Sequence, residues 1–240
     1  MPLPSLVSYK HNRNKFCRSW SLKGQVDGTN GETSYAALRC KAWACETCGP
    51  RKAATVRKAI MERATEKALH RFVTLTLNPR NCTRLDSAKY VRNCWAKMRT
   101  YLKRKYGKSI SFISVIELQK SGYAHLHILV DRYIDQKWLS NSWDRIGGGK
   151  IVDIRWVDTH RVAHYLAKYL TKDMILDVPA GIRRYSTSRD ILLIAKQKSG
   201  NKWVIIKIPI ETLLSVHSRK IFEKKQSKSG ELLFFKIKSG

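Results

Sequence analysis

The fold is decided by residues 110–130, which read ISFISVIELQKSGYAHLHILV. Two β-branched, mostly apolar runs, 110–119 and 123–130, flank a Lys-Ser-Gly turn, and this pattern predicts a β-hairpin. Because side chains alternate between the two faces of a strand, we expect His125 and His127 to lie side by side on one face. Leu129 shares this face, and Leu126, Ile128 and Val130 are expected to point to the other face.

The segments around this hairpin predict an α+β fold, in which an antiparallel sheet is flanked by helices. Residues 1–35 are polar, and the Gly/Asn/Ser-rich stretch Gly24–Ser34 is typical of a loop. Hydrophobic periodicity predicts the remaining elements. The expected helices are 50–69, 85–105, 135–145 and 159–173, and the further strands are 71–77, 150–157, 202–209 and 231–237.

A chain of 240 residues can bury one full core and carry small accessory segments. We therefore expect three parts. Residues 1–69 form an N-terminal cysteine-rich segment with a basic helix, 70–190 form the main domain, and 191–240 form a basic, β-rich C-terminal extension.

The charge predicts a polyanionic partner. Lysine and arginine number 47 against 18 acidic residues, and the net charge of +29 is spread along the chain. A ribosomal or architectural protein would have the same composition. Membrane insertion is not expected, because no apolar run approaches the roughly 18 residues of a spanning helix. The start, Met1–Pro4, lacks the pattern of a secretory signal, so a cytoplasmic protein is expected.

The first candidate site is a metal centre. Two histidines at i and i+2 on a strand can bind one metal ion, and Glu117 on the preceding strand can supply a third ligand. Glu117 lies among apolar residues, where an unpaired carboxylate is costly. The alternative is that His125 and His127 are ordinary polar residues and that Glu117 pairs with a lysine.

The second candidate site lies on the expected helix 159–173. Tyr165 and Tyr169 are four residues apart and share a helix face, and Lys168 and Lys172 each follow a tyrosine by three residues. A phenol is a weak nucleophile, which a nearby metal ion and a lysine would assist. The alternative is that the tyrosines pack in the core while the lysines extend outward.

Together these motifs resemble the HUH endonuclease superfamily, in particular the two-tyrosine rolling-circle replication initiators (Rep proteins) of phages and plasmids. The shared features are a His-hydrophobic-His strand, an upstream strand like Phe72–Leu77 and a downstream Tyr-x-x-Lys helix. The resemblance covers roughly 70–190. It implies a ferredoxin- or RRM-like sheet with Mg²⁺ or Mn²⁺ held by Glu117, His125 and His127.

The resemblance also implies an activity. One tyrosine would attack a phosphate of single-stranded origin DNA, leaving a 5′-phosphotyrosine and a 3′-OH that primes synthesis by a host polymerase. The second tyrosine would cut the regenerated origin, so that strand transfer releases a circle. The chain has no Gly-x-x-x-x-Gly-Lys-Ser/Thr loop, so a helicase would come from the host or another gene.

Arg183, Arg184 and Arg189 are candidate DNA-binding residues. They belong to an Arg/Ser segment similar to the one that follows the tyrosine helix in related initiators. A solvated basic turn is the alternative.

The cysteines predict a zinc site. Cys40, Cys45 and Cys48 fall within nine residues, and the Cys-x-x-Cys element has zinc-knuckle spacing. Cys17 is the preferred fourth ligand, with His11 next, and the segment resembles a cysteine-rich region that precedes the catalytic part of some initiators. Reduced cysteines without metal are the alternative. Cys82 and Cys94 are expected to be core thiols.

Two other functions compete with the initiator. A transposase of the same superfamily would use the same triad and tyrosine. A non-catalytic DNA- or RNA-binding regulator would instead carry aromatic residues on the central strands, where they stack on bases.

Overall fold

The computed structural model describes residues 17–25, 32–158, 178, 181–194, 202–227 and 230–238. In the described residues the strands are β1 (Ser21–Gln25), β2 (Glu32–Ala37), β3 (Arg71–Thr76), β4 (Phe112–Leu118), β5 (Ala124–Val130), β6 (Val152–Trp156), β7 (Tyr185–Thr187), β8 (Lys202–Ile206), β9 (Ile221–Gln226) and β10 (Leu232–Lys238). The α-helices there are α1 (Cys48–Glu66), α2 (Ser87–Tyr106), α3 (Gln136–Arg145) and α4 (Ile210–Val216).

The chain divides into two compact units. One contains Met1–Cys48 together with Lys196–Gly240, and the other contains Gly49–Ala195. Each unit holds one five-stranded antiparallel sheet. The α+β class expected from the sequence is therefore confirmed.

The sheet of the Gly49–Ala195 unit has the strand order β6-β3-β5-β4-β7. Along the chain, β3, α2, β4, β5, α3 and β6 follow one another in a β-α-β-β-α-β order. In the sheet, β3 lies between β5 and β6. This is the split βαβ arrangement of ferredoxin-like folds. The expected hairpin is present, since β4 and β5 pair in register around the Lys-Ser-Gly turn.

Helix α2 covers one face of this sheet. Its residues Val91, Trp95 and Met98 are buried in the same core cluster as Leu126 and Ile128 of β5. This burial follows from the spacing of three and four residues along α2, which presents one apolar stripe to the sheet. Since Leu126 and Ile128 face this core, the alternate residues of β5 point to the opposite face.

One expectation was wrong for the unit formed by Met1–Cys48 and Lys196–Gly240. Residues 1–35 were predicted to be irregular, yet β1 and most of β2 lie there and pair with each other antiparallel. The reason is long-range pairing, because β1 also pairs with β8 and β2 pairs with β10, some 180 to 200 residues further along the chain. A local pattern weakened by Gly24 does not reveal such partners.

The same unit contains a helix that the periodicity did not predict, α4, whose Ile210 and Leu213 are buried beside Tyr35 and Phe235. The tyrosine helix expected over 159–173 lies outside the described residues. Among the described helices, none is long and apolar enough to cross a membrane.

Candidate metal centres

The first centre is built by the register of the two central strands. Glu117 of β4 stands directly opposite His125 of β5, and Val115 stands opposite His127. Residues opposite each other in an antiparallel pair point to the same face. The pairing therefore brings Glu117, His125 and His127 together on the face away from α2.

The three side chains are close enough to bind one ion. Their ligand atoms all lie within 4.8 Å of one another. His127 Nε2 and Glu117 Oε2 are hydrogen-bonded at 2.5 Å, and His127 is only 4% exposed. A carboxylate and two imidazoles converging on one point form a donor set that suits a divalent cation.

Residues of β3 fix the position of His127. Thr74 lies opposite His127, and its Oγ1 is 3.2 Å from His127 Nδ1. The ring of Phe72 stacks on the His127 ring with a centroid distance of 5.5 Å and an angle of 16°. The outward nitrogen Nε2 is thus aimed at Glu117, while Nδ1 has its own partner, as is usual for metal-binding histidines.

His125 is held in the neutral form. Partial burial lowers its pKa to about 4, with a further lowering by His127 and an opposing effect of Glu117. A neutral imidazole offers a lone pair to a metal, whereas an imidazolium does not. At neutral pH, His125 is consequently ready to act as a ligand.

The candidate DNA-binding arginines have different surroundings. Arg183 and Arg189 are exposed, and the carbonyl of Arg183 accepts a hydrogen bond of 2.8 Å from Arg92. Arg184 is buried, and its Nη2 donates to the carbonyl of Val178 at 2.9 Å. Its guanidinium is therefore bound within the protein, while those of Arg183 and Arg189 face outward.

The candidate catalytic residues Tyr165, Lys168, Tyr169 and Lys172 lie outside the described residues, as does His11. Their positions relative to the metal centre stay a prediction.

The second centre contains the four cysteines named from the sequence. Cys17, Cys40, Cys45 and Cys48 have their sulfurs within 4.8 Å of one another. Cys17 Sγ lies 3.5 Å from Cys48 Sγ and 3.6 Å from Cys45 Sγ. These distances far exceed the ~2.05 Å of a disulfide, and all four thiols are free.

Pairing of β1 with β2 explains why Cys17 joins a cluster more than twenty residues away. Beyond the strands, the ladder continues through hydrogen bonds from Arg18 N to the Leu38 carbonyl and from Leu38 N to the Trp20 carbonyl. Cys17 is thereby brought beside Cys40.

Backbone N–H groups point at two of the sulfurs. Cys48 N lies 3.4 Å from Cys45 Sγ, and Ala42 N lies 3.5 Å from Cys40 Sγ. Burial opposes ionisation of Cys45, but hydrogen bonds from Cys48 N and the Cys40 side chain lower its pKa to about 7. The thiolate, which is the form that binds metal, is accordingly accessible at neutral pH.

The sequence did not reveal the residues of β3 that contact His127. Thr74 and Phe72 were identified only as part of a strand, although the alternation of β3 places them on one face. Their contacts with His127 follow from the register between β3 and β5, which the sequence pattern alone does not give.

Comparison with known proteins found a similarity to a protein family. Residues 70–174 match the model of the family described as Replication-associated protein ORF2/G2P. The matched segment contains Glu117, His125 and His127 and extends over both candidate tyrosines. Neither the curated proteins nor the solved structures gave a match. The family match supports a replication-associated protein of the Rep type, and the Glu/His/His centre is compatible with a metal-dependent nuclease.

Proposed function

We propose that the chain is a two-tyrosine rolling-circle replication initiator of the HUH type, which nicks single-stranded DNA at an origin. One observation carries this proposal. Glu117, His125 and His127 converge on two adjacent central strands, inside the segment that is similar to replication-associated proteins.

The proposed reaction is a phosphoryl transfer to protein. The phenolic oxygen of Tyr165 or Tyr169 loses its proton and attacks a backbone phosphorus, forming a P–O bond to tyrosine. The bond from phosphorus to the 3′ oxygen breaks, and that oxygen takes up a proton to become a 3′-OH. The products are a 5′-phosphotyrosine and a primer end, and attack by a 3′-OH on the phosphotyrosine reverses the step and rejoins DNA.

The side chains have separate tasks. A divalent ion bound by Glu117, His125 and His127, Mg²⁺ or Mn²⁺, would neutralise charge on the scissile phosphate. Thr74 and Phe72 keep the His127 ring in its ligating orientation. Lys168 and Lys172 would stabilise the phenolate or the leaving oxygen, since each follows a tyrosine by three residues.

The second tyrosine allows a round of replication to end. It would cut the regenerated origin while the first tyrosine still holds the displaced strand, so that joining yields a unit circle. Host polymerase would extend the 3′-OH in the cytoplasm of the host cell, and a host helicase would separate the strands.

The remaining parts would support this core. We assign nicking to residues 70–190, with 1–69 and 191–240 as accessory parts. The cysteine cluster is proposed to hold a structural Zn²⁺, because four cysteine sulfurs within 4.8 Å of one another can fill all four positions of a tetrahedral site and leave none open for chemistry.

A cleavage assay with binding as its control tests the metal centre. Oligonucleotides tiled across the encoding replicon are incubated with the full chain and Mg²⁺ or Mn²⁺. His127→Ala is expected to abolish nicking while DNA binding falls by less than about threefold, because the dispersed positive charge supplies most nonspecific affinity. Equal loss of binding and nicking would mean that the histidine is structural.

The regulator alternative is separated by the same assay, since a regulator binds DNA without nicking it. A transposase would nick but join element ends instead of circularising an origin strand.

A further inference from the structure

A basic groove lies at the end of β4 that is remote from Glu117. It has a volume of ≈ 630 Å³ and runs between α2, the start of β4 and the turn after β7. Its cations are Arg99, Lys103 and Arg189, and its single carboxylate is Asp190. The groove therefore has a net charge of +2 and is also lined by hydroxyl groups, among them Thr100.

Like charges are crowded along this groove and beside it. Desolvation, and next the charge of Arg189, lowers the pKa of Arg99. In the same way desolvation, then Arg183 and Arg99, lower the pKa of Arg92. Guanidinium groups remain charged in proteins, so these cations repel one another. A bound anion would reduce that repulsion.

Two contacts hold the row in place. The guanidinium of Arg99 lies 5.5 Å above the Phe112 ring, and that ring packs edge-on against Trp95 at 5.2 Å. Arg92 is fixed by its hydrogen bond to the Arg183 carbonyl. Anchored guanidinium groups lose little conformational entropy when they bind phosphate.

Asp190 does not cancel the attraction. Burial alone would raise its pKa, but hydrogen bonds from Ser111 and Ser188 keep that pKa below the ordinary value. Its Oδ2 accepts from Ser111 Oγ at 2.6 Å and lies 3.6 Å from Lys67 Nζ. The negative charge is thus already compensated within the protein.

We propose that this basic groove binds the sugar–phosphate backbone of single-stranded DNA flanking the nick site. The inference rests on the proposed function, which makes DNA the substrate. Planar guanidinium groups and hydroxyls are the usual phosphate-contacting groups of DNA-binding proteins. Phe112 and Glu117 are five residues apart on β4, or about 17 Å, and their side chains point to opposite faces of the sheet. The DNA strand would therefore pass around the end of β4 and reach the groove several nucleotides from the scissile phosphate.

The test compares two double variants of the same helix. Arg99→Gln/Lys103→Gln removes two groove cations, and Lys97→Gln/Arg104→Gln removes the same two residue types from α2 outside the groove. Binding of labelled mixed-sequence single strands of about 30 and about 8 nucleotides is measured by fluorescence anisotropy over a salt series. Thermal unfolding of both variants verifies that they fold.

The groove variant is expected to bind the long strand roughly tenfold more weakly than the control variant at physiological salt. The slope of log affinity against log salt should fall in magnitude by about 1.4, for two phosphate contacts on a single strand. The effect on the short strand should be much smaller. Equal losses of affinity in the two variants would overturn the inference.

Nicking of replicon oligonucleotides by the wild-type chain separates the two proposals. If the wild type nicks while the two variants bind alike, the groove inference is wrong and the proposed function stands. If the groove dependence is found but the wild type never nicks, the proposed function is wrong and the groove stands.

Discussion

At the scale of single residues, Thr74 tests whether the metal centre is supported as the geometry indicates. Its Oγ1 contacts Nδ1 of His127, the ligand that lies deepest in the protein. Replacing Thr74 by valine keeps the shape and removes this partner. We expect the apparent affinity for Mn²⁺ in the nicking reaction to fall about 10- to 100-fold, as for other outer partners of metal-binding histidines.

Thr74→Ser is the matched control, since it keeps the hydroxyl and should restore most of the affinity. Saturating Mn²⁺ should recover much of the Thr74→Val activity. If valine and serine variants lose activity equally at every metal concentration, Thr74 acts through packing and not through His127.

The Glu117/His125/His127 centre could be predicted from sequence for a local reason. The three residues lie within eleven positions of one another on a hairpin whose alternation is plain, so a correct hairpin brings all three side chains together. The supporting residues Thr74 and Phe72 come from a strand about fifty residues earlier, and their contribution depends on a pairing that local patterns do not encode.

At the scale of elements, the strands expected over 71–77, 150–157, 202–209 and 231–237 correspond to β3, β6, β8 and β10, whereas β1, β2 and β9 were not predicted. The β4–β5 hairpin is confirmed within one or two residues. Strands β1 and β2 were predicted to be irregular because their apolar alternation is weak. They form strands because they pair with β8 and β10, which lie far along the chain.

The cysteine cluster shows the opposite outcome, since Cys17 was chosen as fourth ligand and does lie beside Cys45 and Cys48. Zn–S bonds of about 2.3 Å at tetrahedral angles separate sulfurs by about 3.8 Å, near the observed values. We expect the purified chain to contain about one Zn²⁺ per molecule. Elemental analysis, with Co²⁺ substitution followed by thiolate absorption, measures this.

Cys45→Ser should lower the zinc content strongly, whereas Cys82→Ser, outside the cluster, should not. Wild-type protein free of zinc after purification under reducing conditions with added Zn²⁺ would contradict the assignment.

The turn after α3 is a second place where an element depends on close packing. A side chain at Gly148 would put its Cβ 2.2 Å from Cε2 of Trp143, whose fully buried ring cannot move aside. Gly148→Ala is expected to reduce the free energy of unfolding by about 3 kcal/mol, at the upper end of overpacking costs.

Gly107→Ala is the comparison, because Gly107 has a φ of +71° but nothing within 4 Å of a Cβ. That variant should lose only about 1–2 kcal/mol through backbone strain. Urea denaturation of both variants decides the matter, and equal losses would show that the turn relaxes around the added methyl group.

At the scale of the whole molecule, charge and composition indicated the partner class and the topology indicates where the partner binds. The net charge of +29 predicted a polyanion without locating it. The sheet separates two faces, one covered by α2 and the other carrying the metal centre. A nucleic acid that reaches this centre approaches the face opposite α2, whereas the basic groove lies on the α2 side, at the end of β4 remote from Glu117.

The tyrosine half of the site depends on residues 159–173 and stays a prediction from sequence. Its support is the spacing of Tyr165 and Tyr169 with their lysines, and the extension of the family match to residue 174. Both tyrosines come after β6 in the sequence, and β6 is the edge strand that pairs with β3.

The covalent adduct tests the central claim most directly. The full chain is incubated with Mn²⁺ and an intact replicon oligonucleotide that it nicks. The DNA and the protein are then digested, and the peptides are analysed by mass spectrometry. We predict a nucleotide attached through phosphate to Tyr165 or Tyr169, and no adduct in the Tyr165→Phe/Tyr169→Phe variant. Cleavage that leaves a free 5′-phosphate, or an unchanged adduct in the double variant, would contradict the account.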